Sequence, residues 1–396
     1  MFVNHLEIFP DQRGQNPEPF YLVKNTASGR YVRLGGAETR YLLQKLHTAQ
    51  TLPGLEQAQT LAEPQQKLLD EKFHQWGFLQ PAEGQEAEKK PLDLTKIKLV
   101  ECNVERVIHH VYPFYSKFFT RKSLILFFLL LAACVGIVVY SVAQALNGTV
   151  AEEPAITIQF SWVDIAITAV LLLFSLAAHE LAHAVVCKKY GGEVKSMGLL
   201  LFFLVPCFYC DVTDVYKIPS PKHRARVALA GVYVNSFLGV AFLLLAFVLT
   251  LFGRVVLPFY YFALSNLVVS VYNLIPLVKL DGYWFLSAVL QVNNLMDKGF
   301  LMAYATFFHR STLPELRMPA GQRRLLAGYG VASLLFKPMF WGYNLYAIST
   351  HLPAEDWVKW GLLCVGVAIM VSDFYRTLRH VSGMIRQDYR RLTQMM

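Results

Sequence analysis

Little in this sequence suits a secreted, cross-linked or nucleic-acid-binding protein. It holds six cysteines in 396 residues, at 102, 134, 187, 207, 210 and 364, and three of them sit inside apolar runs where a thiol packs as a small hydrophobe. A disulfide framework is not expected. Cys207 and Cys210 form a lone C-x-x-C, whereas a zinc knuckle needs a second pair and a redox motif needs a soluble strand and helix around it. The first twenty residues, with Pro10, Asp11, Arg13, Gly14 and Pro17, lack the basic, apolar and small-residue regions of a secretory signal, so the N-terminus is expected in the cytoplasm. Charge is also scarce, at 16% of residues against 55% hydrophobic, with mean hydropathy +0.36. That balance belongs to a membrane protein. The formal net charge of +9 comes from Lys and Arg clustered beside apolar runs, not on one soluble face, so the expected partner is the bilayer and not nucleic acid.

Six apolar runs are long enough to cross a ~30 Å hydrocarbon core as helices: 124–146, 163–187, 227–252, 259–290, 325–348 and 357–374. The fourth is overlong and contains Asn273, Pro276, Asp281 and Gly282, so it is expected to be broken. Basic residues flank the runs at Arg121 and Lys122, at Lys188 and Lys189, at Lys222, Arg224 and Arg226, at Arg310, Arg317, Arg323 and Arg324, and from Arg376 onward. With six spans all of these fall on one side, while Glu152, Glu153, Glu355 and Asp356 fall on the other. The positive-inside rule then places both termini in the cytoplasm and the chain, multi-pass, in the cell inner membrane. The apolar stretch 198–210 is too short to span and reads as a re-entrant hairpin.

Soluble structure is expected only over residues 1–80. Phe20-Tyr-Leu-Val23 and Arg30-Tyr-Val-Arg-Leu34 read as a hairpin, helices follow from Ala37 and from Gln65, and Gly77 stops the second before a short strand at Phe78-Leu79. Residues 81–123 form a linker and then an interfacial helix, in which Val104, Ile108, Val111, Tyr115 and Phe118 share one face and His109 and His110 sit at the interface. Residues 124–375 make the membrane domain and 376–396 a basic cytoplasmic tail.

The chemistry concentrates in Ala178-His179-Glu180-Leu-Ala-His183, inside the second run. Histidines at i and i+4 share one helix face and can bind one zinc ion, with the carboxylate between them close to the water it activates. Ionisable groups in a spanning helix are costly unless they are paired or functional. Two histidines leave a catalytic zinc one protein ligand short, and Asp281, the acid of the fourth run, is the candidate; a structural salt bridge from Lys279 to Asp281 is the alternative. Depth agrees: His179 lies nine residues before Lys188, Asp281 ten before Gln291 and Asn235 nine after Arg226. At 1.5 Å per residue each lies about 13–15 Å from its helix end.

His179-Glu180-Leu-Ala-His183, Asn273-Leu-Ile-Pro276 and Leu280-Asp281-Gly282 together resemble the site-2 protease family of intramembrane zinc metalloproteases, and Gly231-Val-Tyr-Val-Asn235 is similar to that family's G-x-x-x-N element. Phe208-Tyr-Cys-Asp-Val-Thr-Asp214, with the N-terminal region, resembles the bacterial peptide zinc metalloprotease branch, and that region resembles winged-helix PqqD-like domains that bind peptides as an added strand. The resemblance implies zinc on His179, His183 and Asp281, Glu180 as general base and Asn235 as a substrate-positioning or oxyanion donor. The implied fold is mainly α: six transmembrane helices, a re-entrant segment and a small N-terminal α+β domain. The implied activity is cleavage of a membrane protein or precursor peptide, in the setting of a peptide exporter or modification enzyme. A non-hydrolytic peptide-binding or transport component with a structural metal is the rival, and an ion-coupled transporter a third reading that leaves the H-E-x-x-H spacing unexplained. The N-terminal domain can equally be a structural cap.

Overall fold

The computed structural model describes residues 6–10, 20–26, 31–46, 52, 55, 61, 63–76, 78, 96–146, 161–194, 196–202, 205–308, 319–351 and 355–395. The N-terminal unit is an antiparallel sheet of β1 (Leu6–Pro10), β2 (Phe20–Asn25) and β3 (Tyr31–Gly35), in that spatial order, with helices α1 (Gly36–Lys45) and α2 (Glu63–Trp76). The expected hairpin and both helices are present, and β1 is an addition. Side chains alternate across a strand. Val23 and Leu34 therefore meet Tyr41, Leu42, Leu69 and Phe73 in a core on one face, while Lys24, on the opposite face of β2, is buried against the membrane unit. The Phe78 N–H reaches the Phe73 carbonyl at 2.8 Å, the long bond of a Schellman ending, and the two rings lie 6.1 Å apart. Phe78 is thus the apolar plug that closes α2 and not a strand; Gly77 and Leu79 lie outside the described residues.

The segment expected to be linker holds a further strand. β4 (Lys96–Asn103) pairs with β5 (Ser196–Phe202), and β5 with β6 (Val205–Cys210). The apolar stretch 198–210 is thus a hairpin, as expected, but one covered on its β5 side by β4. Among the described residues β6 pairs with no strand but β5. Cys207 and Cys210, three apart on this strand, point to opposite faces, and all six cysteines are free thiols. Helix α3 (Glu105–Tyr115), followed by a 3-10 turn over Ser116–Phe118, buries Ile108 against the membrane unit and leaves His109 and His110 exposed.

The membrane unit is built from α4 (Arg121–Leu146), α5 (Trp162–Lys189), α6 (Pro221–Leu251), α7 (Leu257–Asn273), α8 (Asp281–Leu290), α9 (Leu295–Phe307), α10 (Ala320–His351) and α11 (Asp356–Met395). Each of the six expected runs is helical, the fourth in two pieces. Among the described residues α5, α6 and the Asp356–Arg386 part of α11 are long and apolar enough to cross, and α3 with α4, bent by 58°, would add a fourth if that pair is one span. The fourth run is broken as expected: α7 stops at Asn273 and α8 starts at Asp281, leaving pieces of 17 and 10 residues. Helix α10 carries Arg323, Arg324, Lys337 and Pro338 within its length. Lys337 reaches Asp373 of α11 at 3.3 Å, so that charge is paired between helices.

Phe73, fully buried amid the Tyr41, Trp76 and Phe78 rings, is the keystone of the N-terminal core. Phe73→Ala is expected to destabilise this unit by about 3–5 kcal/mol. Amide exchange should then lose protection over 20–78 while α5 and α6 keep theirs; loss spreading through both helices would show that the two units do not have separate cores.

Candidate metal centre

Helix α5 carries both histidines on its buried face. Small residues surround them, with Ala178, Ala182 and Ala184 on α5 and Ala228, Ala230 and Gly231 on α6 all buried, which lets the two helix backbones approach closely. Tyr115, the last residue of α3, donates its hydroxyl at 2.9 Å to the Ala178 carbonyl, just before the first histidine. His183 Nδ1 is 2.7 Å from the Val227 carbonyl of α6. A carbonyl only accepts, so Nδ1 carries the proton and the Nε2 lone pair faces inward.

The break in the fourth run supplies the third group. Leu274–Leu280 folds back, the Pro276 carbonyl accepts from Tyr329 of α10 at 2.7 Å, and Asp281 opens α8, where a negative charge is favoured by the exposed N–H groups of the first turn. Its Oδ2 lies 3.2 Å from His179 Nε2 and 3.4 Å from His183 Nε2, and the two Nε2 atoms are 3.2 Å apart. A tetrahedral ion with ligand bonds of about 2.0–2.1 Å holds its ligands ~3.3 Å apart. The triangle therefore has the dimensions of three corners of such a site. Asp281 Oδ2 is buried and, despite these short distances, has no well-aligned hydrogen bond, as suits an oxygen aimed at a shared cation. Among the described residues, this is the group of His, Cys, Asp or Glu side chains arranged to hold a metal.

The structure thus brings His179, His183 and Asp281 together. Lys279 makes no ion pair with Asp281 among the described residues; its charge acts on Asp297, itself 3.4 Å from His380. The salt-bridge alternative is overturned because the chain turns between positions 279 and 281. Glu180 stays out of the ligand triangle. It lines a cavity of about 320 Å³ with His183, Asp281, Arg224, Tyr216 and Trp284, and its carboxylate meets the Cys210 backbone at the end of β6.

Asn235 is buried on α6, one turn beyond Gly231, and does not line this cavity. Ser175 of α5 hydrogen-bonds to Asn266 of α7 and lies 3.5 Å from Asn235, while Asn266 donates at 2.9 Å to the Phe262 carbonyl. Because a hydroxyl has a single proton, Ser175 can donate to one amide oxygen only. These residues tie α5, α6 and α7 together in a polar layer next to the ligands. Ser175 and Asn266 gave no motif in the sequence; their signal was polarity inside apolar runs.

Gly231 closes the site from α6. A Cβ there would collide with Nε2 of both histidines. Gly231→Ala is therefore expected to cut metal occupancy by about tenfold or more while the fold persists, since it pushes two ligands off their geometry. Metal content by mass spectrometry with circular dichroism checks this; full occupancy in the variant would show that the helices have room to part.

The chain is 37% identical over 148 residues to "Putative zinc metalloprotease Rip3" of Mycobacterium tuberculosis, covering 36% of this chain and 35% of that protein. It is 33% identical over 127 residues to "Zinc metalloprotease MJ0392" of Methanocaldococcus jannaschii, covering 32% and 34%. Among solved structures, a "Site-2 Protease from Methanocaldococcus jannaschii" aligns over 53% of this chain and 83% of that one at 22% identity and a TM-score of 0.24. The chain thus spans about a third of the length of these two relatives. The names of both and the His179, His183 and Asp281 triangle support zinc as the ion. Residues 167–253, the ligand helix and the helix that closes the site, match the model of Peptidase family M50, and the resemblance read from the motifs is borne out at that level.

Proposed function

We propose that this protein is an intramembrane zinc metalloprotease, hydrolysing a peptide bond of a membrane protein or precursor peptide. The observation that carries the reading is the combination of three converging ligand atoms with a second acid, Glu180, that faces the cavity without joining them. A closed structural site would use four protein ligands, and a catalytic one leaves a position open. Bound zinc would supply a Lewis acid that lowers the pKa of water and polarises the scissile carbonyl.

The chain's own groups do the rest. Glu180 takes the proton of the attacking water and returns it to the leaving amine, the two transfers expected of one general acid-base group. The Cys210 backbone keeps its carboxylate at the cavity. Among the described residues β6 is an edge strand, and its last residue, Cys210, lies by Glu180, so an extended substrate paired with it would bring its carbonyls to the site. Such pairing also unwinds a helical substrate, whose peptide groups are otherwise satisfied internally. Asn235 acts as a positioning residue through the layer it shares with Ser175. The N-terminal unit, in this reading a PqqD-like peptide-binding domain, faces the cytoplasm, as do both termini and the metal site, within a six-span arrangement in the inner membrane supported by the basic flanks. A peptide exporter or modification enzyme is the partner such a domain would serve.

Glu180→Gln keeps the shape and should keep the metal, while hydrolysis falls by about 10² to 10⁴-fold, the usual range for a lost acid-base group. His183→Ala and Asp281→Ala should lower metal content itself. Mass spectrometry of metal content, paired with capture of uncleaved peptides on Glu180→Gln, checks both. Loss of metal from Glu180→Gln would place that carboxylate among the ligands, and a wild-type protein that binds no zinc would end the protease reading.

Orientation has its own test. With the cysteines removed, a thiol placed at 385 should resist labelling from outside and one placed at 153 should accept it; the reverse pattern would move the site to the other side of the membrane.

A further inference from the structure

One residue of the membrane unit that the chemistry does not use gathers an unusual set of partners. Asp214, in the 3-10 turn Thr213–Lys217 between β6 and α6, is 5% exposed. Its Oδ1 accepts from Lys24 Nζ at 2.7 Å and from the Tyr31 hydroxyl at 2.8 Å, both in the N-terminal sheet. Its Oδ2 accepts from Lys217 at 2.9 Å and from the Glu193 backbone N–H at 3.4 Å, just past the end of the zinc helix.

Strand register explains why the sheet can supply those groups. Lys24 pairs with Glu7 on one side and with Tyr31 on the other, so the three side chains form a row across one face. The whole row is turned to the same turn of chain: Glu7 approaches Lys217 at 3.9 Å, Lys217 lies over the Phe9 ring, and the Tyr31 and Tyr216 rings are 6.1 Å apart. Lys24 and Asp214 are both desolvated, with side chains 4% and 7% exposed. Such a pair is tolerable only where the remaining donors and acceptors are matched, as the four donors on Asp214 provide. Burial pushes the Asp214 carboxyl up, but the Lys24 and Lys217 ammonium groups and the Tyr31 hydroxyl outweigh it and hold the group down at about 2, against its usual 3.8. The stabilisation is therefore complete above about 4 and lost only as pH falls through about 2.

The same turn walls the cavity. Thr213, Val215 and Tyr216 line it together with Glu180 and Asp281. Asp214 also touches the exit of α5 from below: a Cβ at Gly192 would press on the Cys187 sulfur and approach the Asp214 backbone. The sheet, the cavity wall and the end of the zinc helix thus meet at one carboxylate.

We infer that Asp214 is a latch that fixes the N-terminal domain onto the wall of the catalytic cavity, making that domain part of the substrate site and not a tethered accessory. Describing the cavity as a substrate site rests on the protease reading above; the latch itself does not. Lys24 and Tyr31 are positioning residues that act through the Thr213–Lys217 turn.

A specific protease site inserted between residues 84 and 88 of the full-length protein, cut after purification in detergent, tests the latch without any substrate. The severed N-terminal fragment of the wild type should co-elute with the membrane part on size exclusion. Lys24→Met and Asp214→Asn, each with zinc content at the wild-type level, should release it, and Lys24→Arg should retain it. In the two releasing variants amide exchange across 211–218 should accelerate by about tenfold, since the wall loses its support. Release of the wild-type fragment, or its retention by both variants, would overturn the latch. Release with unchanged exchange at 211–218 would remove the domain from the cavity wall. Neither readout requires hydrolysis, so failure of the protease reading remains separate.

Discussion

Two imidazole Nε2 atoms 3.2 Å apart, with one carboxylate oxygen within 3.4 Å of both, form an arrangement that a shared cation favours. The rest of the membrane unit can be read as what is needed to hold this pair in place. The Val227 carbonyl fixes one ring, the backbone of Gly231 admits both, and Asp281 adds the negative charge that a dication requires. In a surrounding of low dielectric constant such a cluster is worth more, and its loss costs more, than the same groups in water. That is why small residues crowd the α5 and α6 contact while polar ones fill the layer of Ser175, Asn235 and Asn266. Each buried polar group has to be matched there, because lipid offers no partner.

Much of this was legible from residue types. The H-E-x-x-H spacing puts two histidines on one face because a helix repeats every 3.6 residues, and the acid that meets them could be picked out beside a helix-breaking Asn273-Leu-Ile-Pro276. The hairpin of 198–210 followed from length alone. What escaped was whatever depends on contacts distant in sequence. β4 is built from Lys-Ile-Lys-Leu, an alternation that reads as a strand, yet its place in the order was hidden because its partner, β5, lies about a hundred residues away. Apolar composition also cannot tell a crossing helix from one packed inside the protein, and the broken fourth run ends in such a piece, α8, with Gly282, Tyr283, Ser287 and Ala288 buried. Lys279 was misleading for a related reason: adjacency in sequence suggested Asp281, whereas among the described residues no ion pair joins the two in the fold.

The N-terminal sheet is the clearest case of a segment whose sequence reads as ordinary and whose setting is not. Lys24 in an amphipathic strand would be taken for a solvent-facing residue, and in a free domain it would be one. Here both faces of β2 are buried, one by the domain's own helices and the other by the membrane unit. A domain docked this way shares buried polar contacts with the membrane unit, which a flexible tether would not supply.

The route of the chain through the metal centre has a consequence for biosynthesis. His179 and His183 are made and inserted long before Asp281, and the Tyr329 hydroxyl that pins the Pro276 turn is made later still. A nascent chain that has delivered α5 and α6 holds His179, Glu180 and His183 without Asp281. The turn that carries Asp281 gains its Tyr329 partner only once α10 is under way. The triangle is thus closed by a segment made well after the helix that starts it, so its geometry is a property of the assembled chain and not of α5 alone.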